Sequence, residues 1–154
     1  MTDINKALLA PCGLYCGVCA IYIAHRDNNL KLKEKLMNVY KPFAETIDDI
    51  QCLGCLSDEV VFGYCQTCPI KSCVKEKELE GCYQCDQWPC KNIKRFPIAV
   101  GKKVIMRAIP QWRELGTEKW VEQEEMRYQC PECGNSLFRG VRRCNKCKIA
   151  VDVD

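Results

Sequence analysis

Cys130-Pro131-Glu132-Cys133-Gly134 and, beyond a ten-residue spacer, Cys144-Asn145-Lys146-Cys147-Lys148 decide the reading of this chain. Each C-x₂-C unit sets two thiolates on one tight turn. Two such units place four sulfurs on a tetrahedron about 2.3 Å from a zinc ion, with a short β hairpin expected between them. The residue after such a turn favours glycine, because the chain bends sharply while its amides point at sulfur. Gly134 meets that demand and Lys148 departs from it. A closed four-sulfur site is structural and leaves no position open for catalysis.

Eight more cysteines lie between residues 52 and 90, enough for two further four-sulfur sites. Cys65-x₂-Cys68-x₄-Cys73 and Cys82-x₂-Cys85-x₄-Cys90 repeat the same pattern, and Cys52-x₂-Cys55 opens the series. Sequential use would pair Cys52, Cys55, Cys65 and Cys68, then Cys73, Cys82, Cys85 and Cys90. A cross-braced arrangement would mix the pairs, and spacing does not choose between the two. Units this short bury too little apolar surface to fold without a metal. A third group, Cys12, Cys16 and Cys19, needs a fourth ligand, for which His25, an acidic side chain, water or a middle-group cysteine are candidates. Fifteen cysteines and the single histidine make sixteen ligands, the complement of four tetrahedral sites. The C-x₃-C-x₂-C spacing of the first group also serves a [4Fe–4S] cluster. Enzymes that use it for radical chemistry with S-adenosylmethionine place a long βα barrel behind it, and nothing after Ala20 predicts one.

Between the cysteine groups the pattern is helical. Leu32, Leu36, Val39 and Tyr40 recur at helical spacing over 30–40, with Asp27, Asn28 or Asn29 as cap and Pro42 as stop, and a short helix is expected near 19–25. Pro97 and Pro110 bracket a second helical stretch, and Thr117 is placed to cap a third ending at Tyr128. Trp112 and Trp120 should pack this connector against a metal module. Leu, Ile, Val and Phe supply about a quarter of the 154 residues, enough for a modest core. No apolar run approaches the roughly 18 residues of a membrane span, and the start shows no signal-peptide pattern, so a reducing, cytoplasmic setting is expected. The formal charge of +3 turns negative once thiolates bind zinc, so only local basic patches bear on nucleic acid. One such patch runs from Lys91 to Arg113, with seven basic residues, no acidic one, and Phe96 and Trp112 among them.

Cys12-Gly-Leu-Tyr-Cys16-x₂-Cys19 with Ile21-Tyr22, then Cys52-Leu-Gly-Cys55, Cys65-x₂-Cys68-Pro-Ile-Lys-x-Cys73 and Cys82-x₂-Cys85-x₃-Pro89-Cys90, resemble a cysteine-rich domain of unknown function common in anaerobic bacteria and archaea. The Cys-Pro-x-Cys-Gly end resembles a zinc ribbon; its first knuckle is also of the rubredoxin kind, but the close spacing favours zinc. The resemblance implies metal binding and names no reaction. The expected fold is a small, metal-dominated α+β molecule, with irregular Cys-rich knuckles, short helices and a C-terminal β zinc ribbon. Its expected parts are a Cys-rich metal-binding domain over 1–96, a helical connector over 97–128 and the ribbon over 129–154. The expected ligands are Cys12, Cys16, Cys19, His25, Cys52, Cys55, Cys65, Cys68, Cys73, Cys82, Cys85, Cys90, Cys130, Cys133, Cys144 and Cys147, holding up to four Zn²⁺. The alternative is an iron–sulfur protein for electron transfer or redox sensing, with the cluster at Cys12, Cys16 and Cys19. The first reading makes the chain a non-enzymatic interaction or scaffold module, its partner a macromolecule, protein favoured over nucleic acid, with no membrane. A third reading, a thiol enzyme or metal-transfer protein, would use an under-coordinated cysteine of the first group.

Overall fold

A computed structural model describes residues 3–154, nearly half of them helical. Helix α1 (Ala20–Arg26) leaves directly from Cys19, and α2 (Leu30–Val39) starts where the Asn29 side chain accepts the Leu32 amide at 3.1 Å. Asn28 takes the left-handed conformation (φ +46°) in the turn between them. The pair buries Ile21, Ala24 and Leu36 against Ala44, Ile50, Cys52 and Phe62, a small apolar cluster of its own. Short α3 (Gly63–Gln66) is followed by α4 (Pro69–Glu76), whose proline occupies the first turn, where no amide hydrogen is needed. Helix α5 (Lys91–Lys94) follows Cys90 in the same way that α4 follows Cys68.

Two longer helices, α6 (Ala99–Leu115) and α7 (Thr117–Arg127), form a hairpin about Gly116, whose φ of +79° suits a residue without a side chain. Pro110 does not end α6 but lies inside it. The carbonyl it deprives of a partner belongs to Met106, on an exposed part of the helix where water can take the bond. Thr117 does not cap α7; its hydroxyl accepts the Trp112 indole N–H at 2.9 Å. Val104, Ile105, Ala108, Ile109, Trp112, Trp120 and Val121 from this hairpin form the middle of the main core. Trp112 stacks on Trp120 (4.0 Å between ring centroids, 7° apart) and on Tyr83 (4.3 Å), while Tyr15 meets Trp120 edge-on at 6.0 Å. Tyr83 sits between Cys82 and Cys85, and Tyr15 precedes Cys16. The four rings therefore tie two cysteine loops to the helical hairpin.

The expected C-terminal β ribbon is absent. Among the described residues there is no strand or sheet, only the isolated bridges Gln129↔Ser136 and Arg143↔Ala150. Each knuckle closes on itself: Cys130 bonds Asn135, Leu137 bonds Tyr128, Cys144 bonds Ile149 and Val151 bonds Arg142, all backbone to backbone at 2.7–3.0 Å. These rungs use up the polar backbone of each arm within its own turn. The segment between the knuckles is spent elsewhere, because the Arg139 amide donates to the Val18 carbonyl at 2.9 Å. The two arms consequently never pair with each other.

Candidate metal centres

At the C-terminal knuckles, Cys130 Sγ lies 3.5 Å from Cys147 Sγ, and Cys133 Sγ lies 3.7 Å from Cys144 Sγ. All four sulfurs lie within 4.8 Å of one another. A tetrahedron with 2.3 Å metal–sulfur bonds has edges of about 3.8 Å, so the set is sized for one ion. Soft thiolates suit zinc or iron. The backbone amides of Cys147 and Lys146 point at Cys144 and lower its thiol pKa, while the hydrogen bonds it shares with neighbouring sulfurs raise that of Cys147, so the four sulfurs are held unequally until a cation replaces their protons. Gly134 (φ +72°) and Lys148 (φ +67°) hold equivalent left-handed turns, so the lysine adopts the strained conformation that its position demands. Asn135 joins the knuckles by donating to Asn145 Oδ1 at 2.6 Å. Cys130 and Cys144 are buried, while Cys133 and Cys147 face solvent.

The eleven cysteines between 12 and 90 are arranged differently. Cys12, Cys16, Cys55 and Cys82 are buried within the main apolar core, and Cys52 is buried in the smaller cluster with Cys19 packed beside it. The middle group thus reaches across the first: the Cys55 amide donates to Cys16 Sγ at 3.3 Å, across 39 residues of sequence. Gly54 donates to Cys52 Sγ, also at 3.3 Å, and its φ of +118° lets the loop pass where a Cβ would fall 2.3 Å from the Ala7 carbonyl oxygen. Burial pushes the Cys12, Cys55 and Cys82 thiols up to about 12 and raises Cys16 and Cys65 as well, with neighbouring sulfurs adding to each. Such thiols ionise only against a cation. Cys73, Cys82, Cys85 and Cys90 line a single cavity beside α4. His25 lies next to Cys52, its Nδ1 3.0 Å from both the carbonyl oxygen and the amide nitrogen of that residue, which leaves Nε2 for any ligand. Among the described residues, no three ligand atoms outside the C-terminal four lie within 4.8 Å of one another. The structure thus gathers the first and middle cysteine groups in the core, with His25 beside Cys52, without the three-atom convergence seen at the knuckles.

Arg139 carries a further contact that spacing could not show. Its guanidinium donates to the Tyr15 carbonyl at 3.2 Å, and the nearby Cys19, Cys16 and Cys12 sulfurs offset the cost of burying it. The C-terminal segment thus sets a cation over the first cysteine group. The Lys91–Arg113 patch is only partly engaged within the fold: Lys91, Lys94, Arg95, Lys103 and Arg113 are exposed, although several of its side chains bond within the chain. Arg113 donates to the Tyr83 and Cys85 carbonyls, Arg107 pairs with buried Glu124, Lys102 bonds the Lys94 carbonyl and Lys103 bonds the Asp154 carbonyl. Trp112 is buried and stacked on both faces, so it presents no ring to a base.

The profile of a family described as "Protein of unknown function (DUF3795)" matches residues 8–95, more than half of the chain. The chain belongs to this family. The DUF3795 region spans the first and middle cysteine groups and stops short of α6, so the helical hairpin and the C-terminal knuckles lie beyond the match. No curated protein and no solved structure matches the chain. Among the described residues no helix is long and apolar enough to cross a membrane.

Proposed function

We propose that this DUF3795 protein is a metal-scaffolded interaction module in which Cys130, Cys133, Cys144 and Cys147 hold Zn²⁺ as a closed structural site. The observation that carries the reading is the convergence of four sulfurs to within 4.8 Å, at edge lengths suited to a single tetrahedral ion. The site braces the segment that sends Arg139 to the first cysteine group and Leu137 into the core. The remaining cysteines of the DUF3795 region bind further metal, with parts at 1–96, 97–128 and 129–154 that share one core. The module serves a macromolecular partner, a protein in preference to a nucleic acid; the burial of Trp112 and the pairing of Arg107 with buried Glu124 support that preference. A cytoplasmic setting, where thiols stay reduced for ligation, belongs to the same reading. The test is metal analysis of the full chain isolated without air. About one zinc per chain should vanish in Cys147→Ser while the protein stays folded, and zinc retained in that variant would refute the assignment.

A second reading, an iron–sulfur protein, is favoured by one observation: the DUF3795 cysteines gather in the core without approaching single-ion distances. Cys12 and Cys16 lie with Cys55, whereas Cys19 lies with Cys52, so the first group would share its ligands with the middle one. A broad visible charge-transfer band in air-free protein would support it, and colourless, iron-free protein would defeat it.

A further inference from the structure

Cys73 comes from α4, Cys82 and Cys85 from the single 3-10 turn Cys82–Gln84 and the residue after it, and Cys90 from the residue before α5. These three pieces of chain are brought together so that all four thiols line one narrow cavity, whose other walls include the apolar side chains of Ile70 and Leu79. The four do not contract as the C-terminal set does, since no three of them lie within 4.8 Å of one another. A lone ion at about 2.3 Å from each sulfur requires that contraction. A cluster interposes several irons and sulfides between its thiolates and holds them further apart.

Two more features point the same way. Trp88 lines this cavity, and its Nε1 is buried without any hydrogen-bond partner. Leaving a buried N–H unpaired costs about 1–3 kcal/mol, and a cluster sulfur would be an acceptor for it. Cations also flank the cavity. Lys77 Nζ lies 3.7 Å from Cys85 Sγ, while Arg113 holds the Cys85 carbonyl and lies over the Trp88 ring at 5.3 Å. An iron–sulfur core ligated by four thiolates carries net negative charge that these two groups offset.

We propose that Cys73, Cys82, Cys85 and Cys90 ligate an iron–sulfur cluster in this cavity, with Trp88 Nε1 donating to one of its sulfurs. The assignment rests on reading the DUF3795 region as metal-binding, and deepens it by naming the ligand set and the kind of centre. It is separate from the mononuclear site at the C-terminal knuckles.

The experiment uses the full chain isolated without air, with iron, acid-labile sulfide and zinc counted per chain. Iron and sulfide should be equal, and both should fall in Cys85→Ser and Cys90→Ser with zinc unchanged. Cys147→Ser should lose zinc and keep iron. Unchanged iron and sulfide in the first two variants would overturn the proposal. Loss of zinc in place of iron would overturn it too while leaving the metal-binding reading intact, and wild-type protein with no metal beyond the knuckle zinc would end both. Because a serine variant can fail to fold, wild-type thiols are also mapped by alkylation before and after iron is extracted with bipyridyl. Cys73, Cys82, Cys85 and Cys90 should become labelled together, with Cys130, Cys133, Cys144 and Cys147 still protected; labelling of the first four before extraction would refute the assignment. Trp88→Phe should retain iron and shift the midpoint potential to more negative values, since the lost bond favours the reduced cluster. An unmoved potential would remove the Trp88 bond from the proposal.

Discussion

The C-terminal knuckles and the DUF3795 region use the same C-x₂-C unit, yet they assemble sulfur in opposite ways. In the knuckles, both ligands of each pair sit on a turn that amides and a left-handed residue hold shut, and the pairs meet at single-ion distance with two sulfurs facing solvent. In the DUF3795 region the cysteines are threaded through an apolar core, and their neighbours are chosen by helices packed far apart in sequence. Local turn chemistry can build a metal site by itself. Where cysteines share a core with Ile, Val and Trp, the packing of helices decides which thiols meet. The first kind of site should depend on its ion for its shape, and the second should depend more on its aromatic and aliphatic contacts.

Metal removal tests that contrast most strongly. Structural zinc binds finger peptides with about 10–16 kcal/mol, which rivals the total of about 5–15 kcal/mol that separates most folded domains from their unfolded chains. Zinc extraction, or Cys144→Ser, should erase amide-exchange protection over 128–151. The α6–α7 hairpin should stay protected, because Trp112, Trp120, Ile105 and Ile109 are held by the main core. Hydrogen exchange read by mass spectrometry checks this, and equal loss of protection in both regions would show that they unfold as one unit.

The converse change is Trp120→Ala. It removes a fully buried ring that stacks on Trp112 and meets Tyr15, and should cost about 3–5 kcal/mol in a denaturant melt. Knuckle zinc should be retained in the folded fraction, whereas Tyr15 keeps its hydrogen bond to Glu125 but loses its edge-on ring contact, and the Cys12–Cys16 loop loosens. Arg107→Ala attacks the same core through charge. Glu124 has only 1% of its side chain exposed and lies 2.5 Å from Arg107 Nη1, so the single variant leaves a buried carboxylate unpaired. A loss of about 3 kcal/mol is expected, and adding Glu124→Gln should recover much of it, because the neutral amide is cheaper to bury. No recovery in the double variant would mean that packing of the arginine stem, and not charge, carries the effect.

The sequence made the knuckles legible because both ligands of each pair, and the glycine behind the first, lie within five residues. It made α1 and α2 legible too, with the cap narrowed to Asp27, Asn28 or Asn29, of which the structure uses Asn29. The β ribbon expected between the knuckles failed for a reason no spacing reveals: the intervening segment bonds Val18 and Tyr15, more than a hundred residues away. Pro110 misled because a proline whose freed carbonyl faces water need not end a helix, and Thr117 misled because a tryptophan indole claimed its hydroxyl. Division of the middle cysteines stayed open for the same physical reason. Cys16 and Cys55 are adjacent because loops far apart in sequence are bonded together, the Leu56 amide to the Ala7 carbonyl and the Cys55 amide to Cys16 Sγ. The tyrosines inside the Cys12–Cys16 and Cys82–Cys85 loops were a visible signal for the aromatic stack, and the spacing of sulfur drew the reading away from them.

The smallest effect sharpens the comparison within the knuckles themselves. Lys148 holds at φ +67° the conformation that Gly134 holds at +72°. A left-handed residue with a Cβ costs about 1–2 kcal/mol, and glycine returns part of that gain through the greater freedom of its unfolded chain, about 0.5–1 kcal/mol. Lys148→Gly also gives up the bond from Lys148 Nζ to the Asn145 carbonyl, which is exposed and therefore weak. The net expectation is a gain of about 0.5 kcal/mol, seen as slower zinc loss to a competing chelator. Gly134→Ala should lose about 1 kcal/mol through strain alone, because nothing lies within 4 Å of the Cβ it would add. Opposite signs at these two equivalent positions would show that backbone conformation, and not the lysine charge, sets the difference between the knuckles; a loss at both would assign Lys148 a stabilising role that its geometry does not show.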